Sequence, residues 1–277
     1  MLDEICLDRR YVEGGQVIPK AEQRIDEKLE SIIDAEIIPR LMLMHRESEG
    51  AADEAPKGLA NEELAAHVAE FANLVLKFDV DVLAAYISVL RQRGVDTERL
   101  LLKLFAPAAR KLGEMWEADA IDFVDVTVGT SRLQQLLHQF SLPAKADATL
   151  PARRVLLLPT PSEQHTFGLL MVGDFFRRYG WEVSGGTPIS TERLPSVVAD
   201  QWFALVGFSL SCERLIGLLG STIKTVRRHS RNRAVQIVVG GQVFVENKDL
   251  GHALGADLAV ADAREAVELA ENVLRDS

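Results

Sequence analysis

The sequence predicts an α/β protein in which a four-helix bundle precedes a doubly wound, five-stranded parallel sheet. Three observations lead to this prediction. Up to residue 145 apolar residues recur at helical spacing. After Pro151, short apolar runs alternate five times with amphipathic segments, and the first of these runs shows no polar alternation. Such a run is typical of a strand buried on both faces, and the strand–helix alternation implies parallel strands joined by helices.

Residues 1–59 are predicted to form a helical arm and a linker. Apolar residues at helical spacing mark a helix over residues 20–46, which Pro39 should kink or end. The run that follows, ESEGAADEAPKGLA, is small, acidic and without periodicity, as in a linker. The arm is either a solvated docking helix or a partly ordered segment, or else an element dedicated to binding a partner.

Residues 60–145 are predicted to form the bundle, because four amphipathic segments are joined by short turns. Pro107 should kink the third helix. The four segments read NEELAAHVAEFANLVLKF, DVDVLAAYISVLRQRG, DTERLLLKLFAPAARKLGEMWEADA and DFVDVTVGTSRLQQLLHQFS.

Residues 151–277 are predicted to form the sheet domain, with the boundary to the bundle at residues 142–152. The strands are expected in RRVLLLPT, WEVSGG, ALVGFSLS, VQIVVGG and ADLAVAD. Helices are expected at 166–180, 191–200, 212–229, 246–253 and at the end of the sequence.

Composition narrows the class of function. The formal net charge is −10 and the isoelectric point about 5.2, which argues against nonspecific binding to nucleic-acid phosphates. The basic run RRHSRNR at 227–233 is best explained as a solvated helix end, so no autonomous DNA binding is expected. No signal peptide or long apolar span is visible, and two cysteines make no disulfide framework. A cytoplasmic protein without a membrane segment is expected.

Polar and glycine residues follow the predicted strands where a ligand should bind. In an open parallel sheet, ligands bind beyond the carboxyl ends of the strands. Gly240 and Gly241 follow the fourth strand and would let the backbone approach a bulky ligand. Ser209 and Ser211 follow the third strand, although Ser211 could equally cap the next helix.

His165 is the strongest candidate ligand in the sequence. It follows the first strand, and a neutral imidazole there can bind a metal while Glu163 or Gln164 orients its other nitrogen. A helix-capping or surface histidine is the alternative. No other histidine, cysteine or acid lies at local metal-ligand spacing, which makes one histidine on a preformed metal macrocycle more plausible than a zinc cage.

Taken in order, the motifs resemble those of the Rossmann-like cobalamin-binding domain. The motifs are Glu163-x-His165-x-x-Gly168, then Ser209-Leu210-Ser211, then Gly240-Gly241, and the preceding LGEMWEADAIDFVDVTVGTSRLQ resembles the family's helical cap. The resemblance covers roughly residues 60–275.

This resemblance implies cobalamin binding with His165 as the lower ligand of cobalt, in place of the cofactor's own dimethylbenzimidazole. The displaced tail would pass Gly168 into a slot beside the Gly240-Gly241 strand, and Trp116 would cover the upper face of the corrin unless it is an ordinary core residue. The implied binding set is His165, Glu163, Thr166, Phe167, Gly168, Ser209, Leu210, Ser211, Gly240, Gly241, Gln242, Val243, Asp262 and Trp116.

Two departures from the family pattern are informative. Glu163 stands where the family has Asp, which keeps the charge on a longer stem. Val126 and Thr127 stand where photoreceptors that use adenosylcobalamin carry Glu-His. Aquo- or hydroxocobalamin is therefore the expected form rather than adenosylcobalamin.

PTPSEQHTFGLLMVGDFFRRYGWEV resembles more narrowly the AerR/PpaA antirepressors of photosynthetic bacteria and a related heme-binding domain. The resemblance implies a non-enzymatic, light- or redox-responsive antirepressor that acts on a PpsR/CrtJ-type transcription repressor. The alternatives are a heme-binding sensor and a corrinoid shuttle protein of a methyltransferase system. A nicotinamide-binding domain is disfavoured, because the first strand is not followed by Gly-x-Gly-x-x-Gly.

Overall fold

A computed structural model describes residues 60–141 and 153–275 of the chain. These residues belong to one compact unit. The predicted arm and linker over residues 1–59 and the predicted boundary at 142–152 lie outside the described residues.

The first described segment is helical throughout, with short connections. Its helices are α1 (Asn61–Ala66), α2 (Val68–Lys77), α3 (Val80–Gln92), α4 (Thr97–Leu100), α5 (Ala106–Glu117) and α6 (Phe123–Phe140). The first predicted helix is interrupted at His67, so that it forms both α1 and α2.

A π-helical turn, Leu101–Phe105, joins α4 to α5 directly before Pro107. The amide of Ala106 reaches back five residues to the carbonyl of Leu101. Proline has no amide hydrogen and its ring crowds the preceding turn, so a widened turn accommodates it. The irregularity that the sequence predicts at Pro107 thus takes the form of a π turn directly before the proline.

The second described segment forms a five-stranded parallel sheet in the order β2-β1-β3-β4-β5. Its strands are β1 (Arg154–Pro159), β2 (Glu182–Gly185), β3 (Leu205–Ser209), β4 (Gln236–Gly240) and β5 (Leu258–Val260). The predicted doubly wound α/β fold is confirmed.

Helices cover both faces of this sheet. They are α7 (Phe167–Arg178), α8 (Leu194–Asp200), α9 (Ile216–His229), α10 (Gln242–Glu246), α11 (Asp249–Ala253) and α12 (Ala263–Arg275). The sequence predicts one helix near 246–253. The structure has two short helices in this region, α10 and α11, and α10 begins immediately after Gly241.

One hydrophobic core joins the bundle to the sheet. Phe71 and Phe105 of the bundle belong to the same buried cluster as Phe175 of α7 and Ala266 of α12. Complete burial of such a phenylalanine contributes roughly 1.5–3 kcal/mol. A second cluster, which includes Phe208 and Ile223, fills the opposite face of the sheet.

Polar contacts also hold the bundle against the sheet domain. Arg178 at the end of α7 donates to the carbonyl oxygen of Phe140 over 2.9 Å. Arg264 at the start of α12 pairs with Glu98 of α4 over 2.7 Å. Within the described ranges, no helix is long and apolar enough to cross a membrane.

Candidate functional site

The candidate site lies where β1 and β3 end side by side. Thr160, directly after β1, donates its backbone N–H and its hydroxyl to the carbonyl oxygen of Ser209, over 3.0 and 2.8 Å. Ser162 adopts a positive φ of 69°, which turns the chain beyond the strand. The segment from Thr160 to Thr166 therefore leaves β1 in a fixed direction and leads into α7.

Glu163 is the polar centre of this segment. Its carboxylate is only 2% exposed. One oxygen, Oε1, accepts hydrogen bonds from the backbone N–H groups of Gln164 and His165, over 2.9 and 3.0 Å. The same oxygen lies 2.7 Å from Nδ1 of the His165 ring. One carboxylate thus holds both the loop backbone and the imidazole.

The other Glu163 oxygen crosses to the neighbouring strand. Oε2 accepts the backbone N–H of Ser211 over 2.7 Å. Burial of the carboxyl opposes its ionisation, but hydrogen bonds from the N–H groups of His165 and Ser211 and from the imidazole outweigh that effect. Together they hold the pKa of Glu163 below its usual value. An ionised Glu163 therefore joins the loop after β1 to the loop after β3.

His165 presents its ring outward from this anchor, with 70% of the side chain exposed. A carboxylate can only accept, so Nδ1 carries the proton that faces Glu163. In the neutral form of the ring, the lone pair is at Nε2, which has no hydrogen-bond partner among residues 60–141 and 153–275. This arrangement of a carboxylate, a histidine and an available nitrogen is the one that proteins use to orient a metal-binding imidazole.

Ser209 carries a buried hydroxyl with no hydrogen-bond partner in the described part of the chain. Buried hydroxyls normally have a partner, so this oxygen is able to bond to a ligand or to water beside β3. The Ser211 backbone N–H is already engaged by Glu163. The alternative that Ser211 caps the following helix is not what the structure shows, because that helical segment begins after Cys212 and has no side-chain cap.

Gly241 adopts φ = +110°, and a Cβ there would lie 2.3 Å from the carbonyl oxygen of Leu210. A Cβ at Gly240 would meet Val260 at 3.2 Å. The sequence suggested that these glycines let the backbone approach a ligand. In the structure, Gly241 is also required by the close approach of two neighbouring chain segments, where Leu210 N–H donates to the Gly240 carbonyl.

Gly168, in the first turn of α7, is exposed and differs from Gly241. A Cβ added there would meet nothing within 4 Å. Open space therefore lies beside the helix start that follows His165. Thr166 precedes that helix without a side-chain cap bond.

The remaining predicted residues are found in different settings. Phe167, Leu210 and Val243 are buried, which gives them packing roles at the strand ends. Gln242 is exposed at the start of α10. Asp262 accepts from the backbone N–H groups of Arg264 and Glu265, each over 2.9 Å, and therefore caps α12.

Trp116, near the end of α5, is 45% exposed. The alternative that it is an ordinary bundle-core residue is therefore wrong. Phe123 and Val124 at the start of α6 are also exposed, at 69% and 64%. The turn between α5 and α6 thus presents apolar surface to its surroundings.

Sequence reasoning missed Thr160 and Gly185. Thr160 is a buried polar residue at the end of an apolar strand, a signal that could have been read. Gly185 has φ = +94°, and a Cβ there would lie 2.1 Å from the carbonyl oxygen of Leu157. Nothing local in the sequence identifies that contact, because it depends on the pairing of β2 with β1.

No group of three or more histidine, cysteine or acidic side chains within residues 60–141 and 153–275 is placed to hold a metal ion. His165 could therefore supply one ligand to a metal whose other ligands come with it. That is the coordination expected for a metal in a macrocycle, and the partnerless Ser209 hydroxyl and the open space at Gly168 fit a bulky group beside it.

Comparison with known proteins gives two family-model matches with the same description. Residues 153–271 match the model of the B12 binding domain, and residues 68–139 match a second model described as a B12 binding domain. Together the two matched segments cover more than half of the chain.

One sequence relative and one solved structure are also similar to this chain. An uncharacterized 20.5 kDa protein in the bchF-crtJ intergenic region of Rhodobacter capsulatus is 29% identical over 174 residues, which are 62% of this chain and 90% of that protein. The monomethylamine corrinoid protein of Methanosarcina barkeri is 14% identical in sequence. That structure aligns over 77% of this chain and its own full length with a TM-score of 0.62, which shows a common fold.

Proposed function

Because the chain belongs to the B12-binding domain proteins, we propose that it holds cobalamin through His165 and acts, without catalysing a reaction, as an antirepressor of a PpsR/CrtJ-type repressor. The observation that carries the binding step is the His165 ring, anchored at Nδ1 by a buried, ionised carboxylate and 70% exposed. When bound, the cofactor would supply a cobalt centre that can respond to light or to redox state.

Several residues of this chain would each contribute to cofactor binding in a different way. Glu163 keeps the proton on Nδ1 and so keeps the Nε2 lone pair directed away from the loop. Ser209 offers a buried hydroxyl without a protein partner, and Gly168 leaves room beside α7. Trp116 supplies an exposed aromatic face on the bundle. Aquo- or hydroxocobalamin is the proposed form, because Val126 and Thr127 offer no imidazole on α6.

The regulatory part of the proposal rests on the Rhodobacter capsulatus relative. That protein is described as lying in an intergenic region next to crtJ, and the match covers 90% of its length. The AerR/PpaA-like segment around His165 supports the same assignment. A partner of PpsR/CrtJ type is therefore proposed, with DNA affected through that repressor.

A gel-shift titration tests the regulatory proposal. A PpsR/CrtJ-type repressor is bound to its operator, and the chain is added with hydroxocobalamin, without it, or as His165→Ala with hydroxocobalamin. We expect release of the operator with the cofactor-loaded chain only. An operator that stays bound in all three mixtures would overturn the antirepressor role while leaving cobalamin binding intact.

A corrinoid shuttle protein is the second candidate, favoured by the alignment with the full length of the Methanosarcina barkeri corrinoid protein. It would need a separate methyltransferase, and the cobalt would pass through a reduced state. Reductive titration of the loaded chain with a methyl donor and a corrinoid methyltransferase separates the two candidates. Methyl transfer to the bound cofactor would favour the shuttle, and its absence together with operator release would favour the antirepressor.

A further inference from the structure

Thr160, directly after β1, uses its backbone and its side chain to join two loops of the candidate site. Its N–H and its hydroxyl both donate to the carbonyl oxygen of Ser209, over 3.0 and 2.8 Å. Its own carbonyl oxygen accepts the N–H of Glu163 over 2.8 Å. Thr160 is only 1% exposed. One buried threonine thus connects the end of β3 to the residue whose carboxylate holds His165.

The hydrogen bond from Glu163 back to Thr160 closes a tight turn over residues 160–163, which we call the Thr160 turn. Pro161 occupies its second position, where the ring fixes φ at about −65°. Ser162 occupies its third position with φ = 69°. These are the features of a type II β-turn, whose third residue is usually glycine because a side chain is disfavoured at positive φ. A serine in this conformation indicates that the surrounding hydrogen bonds enforce the turn.

Two connections hold the loop after β1 against the loop after β3. The first joins Thr160 to the Ser209 carbonyl, and the second joins the Glu163 carboxylate to the Ser211 N–H over 2.7 Å. The Thr160 turn sets the spacing between these two connections. Because the same carboxylate lies 2.7 Å from Nδ1 of His165, the placement of the imidazole depends on the turn.

We propose that Thr160 is a positioning residue for the metal-binding imidazole: its hydroxyl fixes the turn that presents Glu163, and through Glu163 it fixes the direction of Nε2 of His165. Because Thr160 is buried, it acts on a ligand only through these neighbours. This role rests on the proposed binding of cobalamin through His165. It adds a residue that lies outside the motif Glu163-x-His165-x-x-Gly168.

The Thr160 hydroxyl is not needed to satisfy the Ser209 carbonyl, because the Thr160 N–H already donates to that oxygen. Replacing threonine by valine therefore leaves no buried carbonyl without a donor, and valine keeps the branched shape of the side chain. What the hydroxyl adds is a second restraint between the two strand ends. Its loss should accordingly disturb the alignment of the loops more than the folding of the chain.

A matched pair of threonine variants of the full chain tests the proposal. Thr160→Val removes the hydroxyl at the turn. Thr222→Val is the control, because Thr222 on α9 is also buried and its hydroxyl also donates to a backbone carbonyl oxygen, that of Leu218, over 2.8 Å. Thr160→Ser keeps the hydroxyl and serves as the rescue variant. Urea unfolding of each variant establishes that the chain is folded before the other measurements are made.

Amide hydrogen exchange, followed by NMR in the cofactor-free chain, measures the alignment of the loops directly. Thr160→Val should speed the exchange of the Glu163 and Ser211 amides by roughly 3–10-fold, the effect of losing one intramolecular hydrogen bond. Thr222→Val should leave both amides as they are in the wild type, and Thr160→Ser should recover most of the protection. Equal exchange of both amides in Thr160→Val and in the wild type would overturn the proposal.

The visible spectrum of added hydroxocobalamin reports whether the imidazole reaches the cobalt. Thr160→Val should bind the cofactor roughly 3–10-fold more weakly and show a smaller share of the imidazole-coordinated spectrum at saturation, whereas Thr222→Val should match the wild type. Affinity and spectrum equal to the wild type in Thr160→Val would overturn the positioning role and leave the proposed function intact. A wild-type spectrum that His165→Ala does not change would overturn both.

An exposed residue of the Thr160 turn gives a second test that does not depend on how well Thr160→Val folds. Ser162 is exposed, and Ser162→Val would place a β-branched side chain at a positive φ that such residues rarely adopt. Ser162→Gly adopts the same φ freely. We expect faster exchange of the Ser211 amide in Ser162→Val but not in Ser162→Gly. Equal exchange in these two variants would show that the turn does not position the loops and would overturn the proposal.

Discussion

At the scale of single residues, Glu163 decides how His165 is presented. Its carboxylate accepts two loop N–H groups, the imidazole and the Ser211 N–H. Replacing the acid that orients a metal-binding histidine commonly costs 10–100-fold in affinity. Glu163→Gln should weaken hydroxocobalamin binding by about that factor, because the amide NH₂ cannot accept. Spectroscopic titration measures it, with Glu163→Asp, which keeps the charge, as the control expected to lose less. Equal binding by all three proteins would contradict this role.

The same carboxylate predicts a pH dependence of stability. The pKa of Glu163 is lowered in the folded chain, so its contribution to stability is present above the unfolded value of about 4.3. It is lost as the pH falls through the lower, folded value. The free energy of unfolding of the wild type should therefore exceed that of Glu163→Gln at neutral pH, and the gap should narrow below about pH 4. Urea unfolding at several pH values measures the gap, and a constant difference would count against an ionised Glu163.

Two glycines with opposite surroundings give a matched pair of variants. Gly241→Ala would force a Cβ to 2.3 Å from the Leu210 carbonyl oxygen at a positive φ, and should cost at least about 1–3 kcal/mol of folding stability. Gly168→Ala meets nothing within 4 Å and lies in a helix, so stability should stay the same or rise by up to about 1 kcal/mol.

Substitution of Gly168 should weaken cobalamin binding without lowering folding stability. If the tail of the cofactor fills the space beside α7, an added methyl costs about 1–3 kcal/mol of binding, or roughly tenfold or more. Gly168→Ala should thus fold normally and bind hydroxocobalamin weakly, as measured by equilibrium dialysis. Unchanged binding would mean that the tail does not pass there.

At the scale of elements, the end of α5 stores strain. Asp119 has φ = 54°, and the Asp119 and Ala120 N–H groups close the helix by bonding to the carbonyl oxygens of Trp116 and Met115. Glycine adopts this conformation without the cost of about 1–2 kcal/mol that a side chain carries. Asp119→Gly should raise the free energy of unfolding by about 1 kcal/mol, measured in urea. A destabilised Asp119→Gly would show that the aspartate side chain contributes more than the backbone strain removes.

The elements themselves were largely predictable from the sequence, and the exceptions have physical causes. Amphipathic periodicity locates the bundle helices and the strand–helix alternation, because both follow from local spacing. Apolar spacing does not distinguish a π turn from a kink at Pro107 and does not reveal the break at His67, and α10 is too short to produce a periodic pattern.

The residues of the candidate site were likewise predictable only where the signal is local in the sequence. His165, Glu163 and Gly241 could be predicted because each stands at the end of a recognisable strand. The link from Glu163 to Ser211 N–H could not, since it spans 48 residues and depends on the order of β1 and β3 in the sheet. The capping role of Asp262 was missed as well, because its position after a strand suggested a ligand-binding residue.

At the scale of the whole molecule, the bundle and the sheet domain share one hydrophobic core and are joined by polar contacts. His165 at the sheet edge and Trp116 on the bundle therefore belong to one packed unit rather than to loosely linked parts. A cofactor held by His165 would act on a molecule whose two halves move only at the expense of this shared core.

One visible absorption measurement tests the central claim most directly. The purified full chain and His165→Ala are mixed in dim light with hydroxocobalamin, and separately with hemin, and then desalted. We predict that the wild type retains cobalamin with a spectrum changed by imidazole coordination, and that His165→Ala loses that change. Retention of hemin alone, or a cobalamin spectrum identical in the two proteins, would contradict the assignment of His165 as the cobalt ligand.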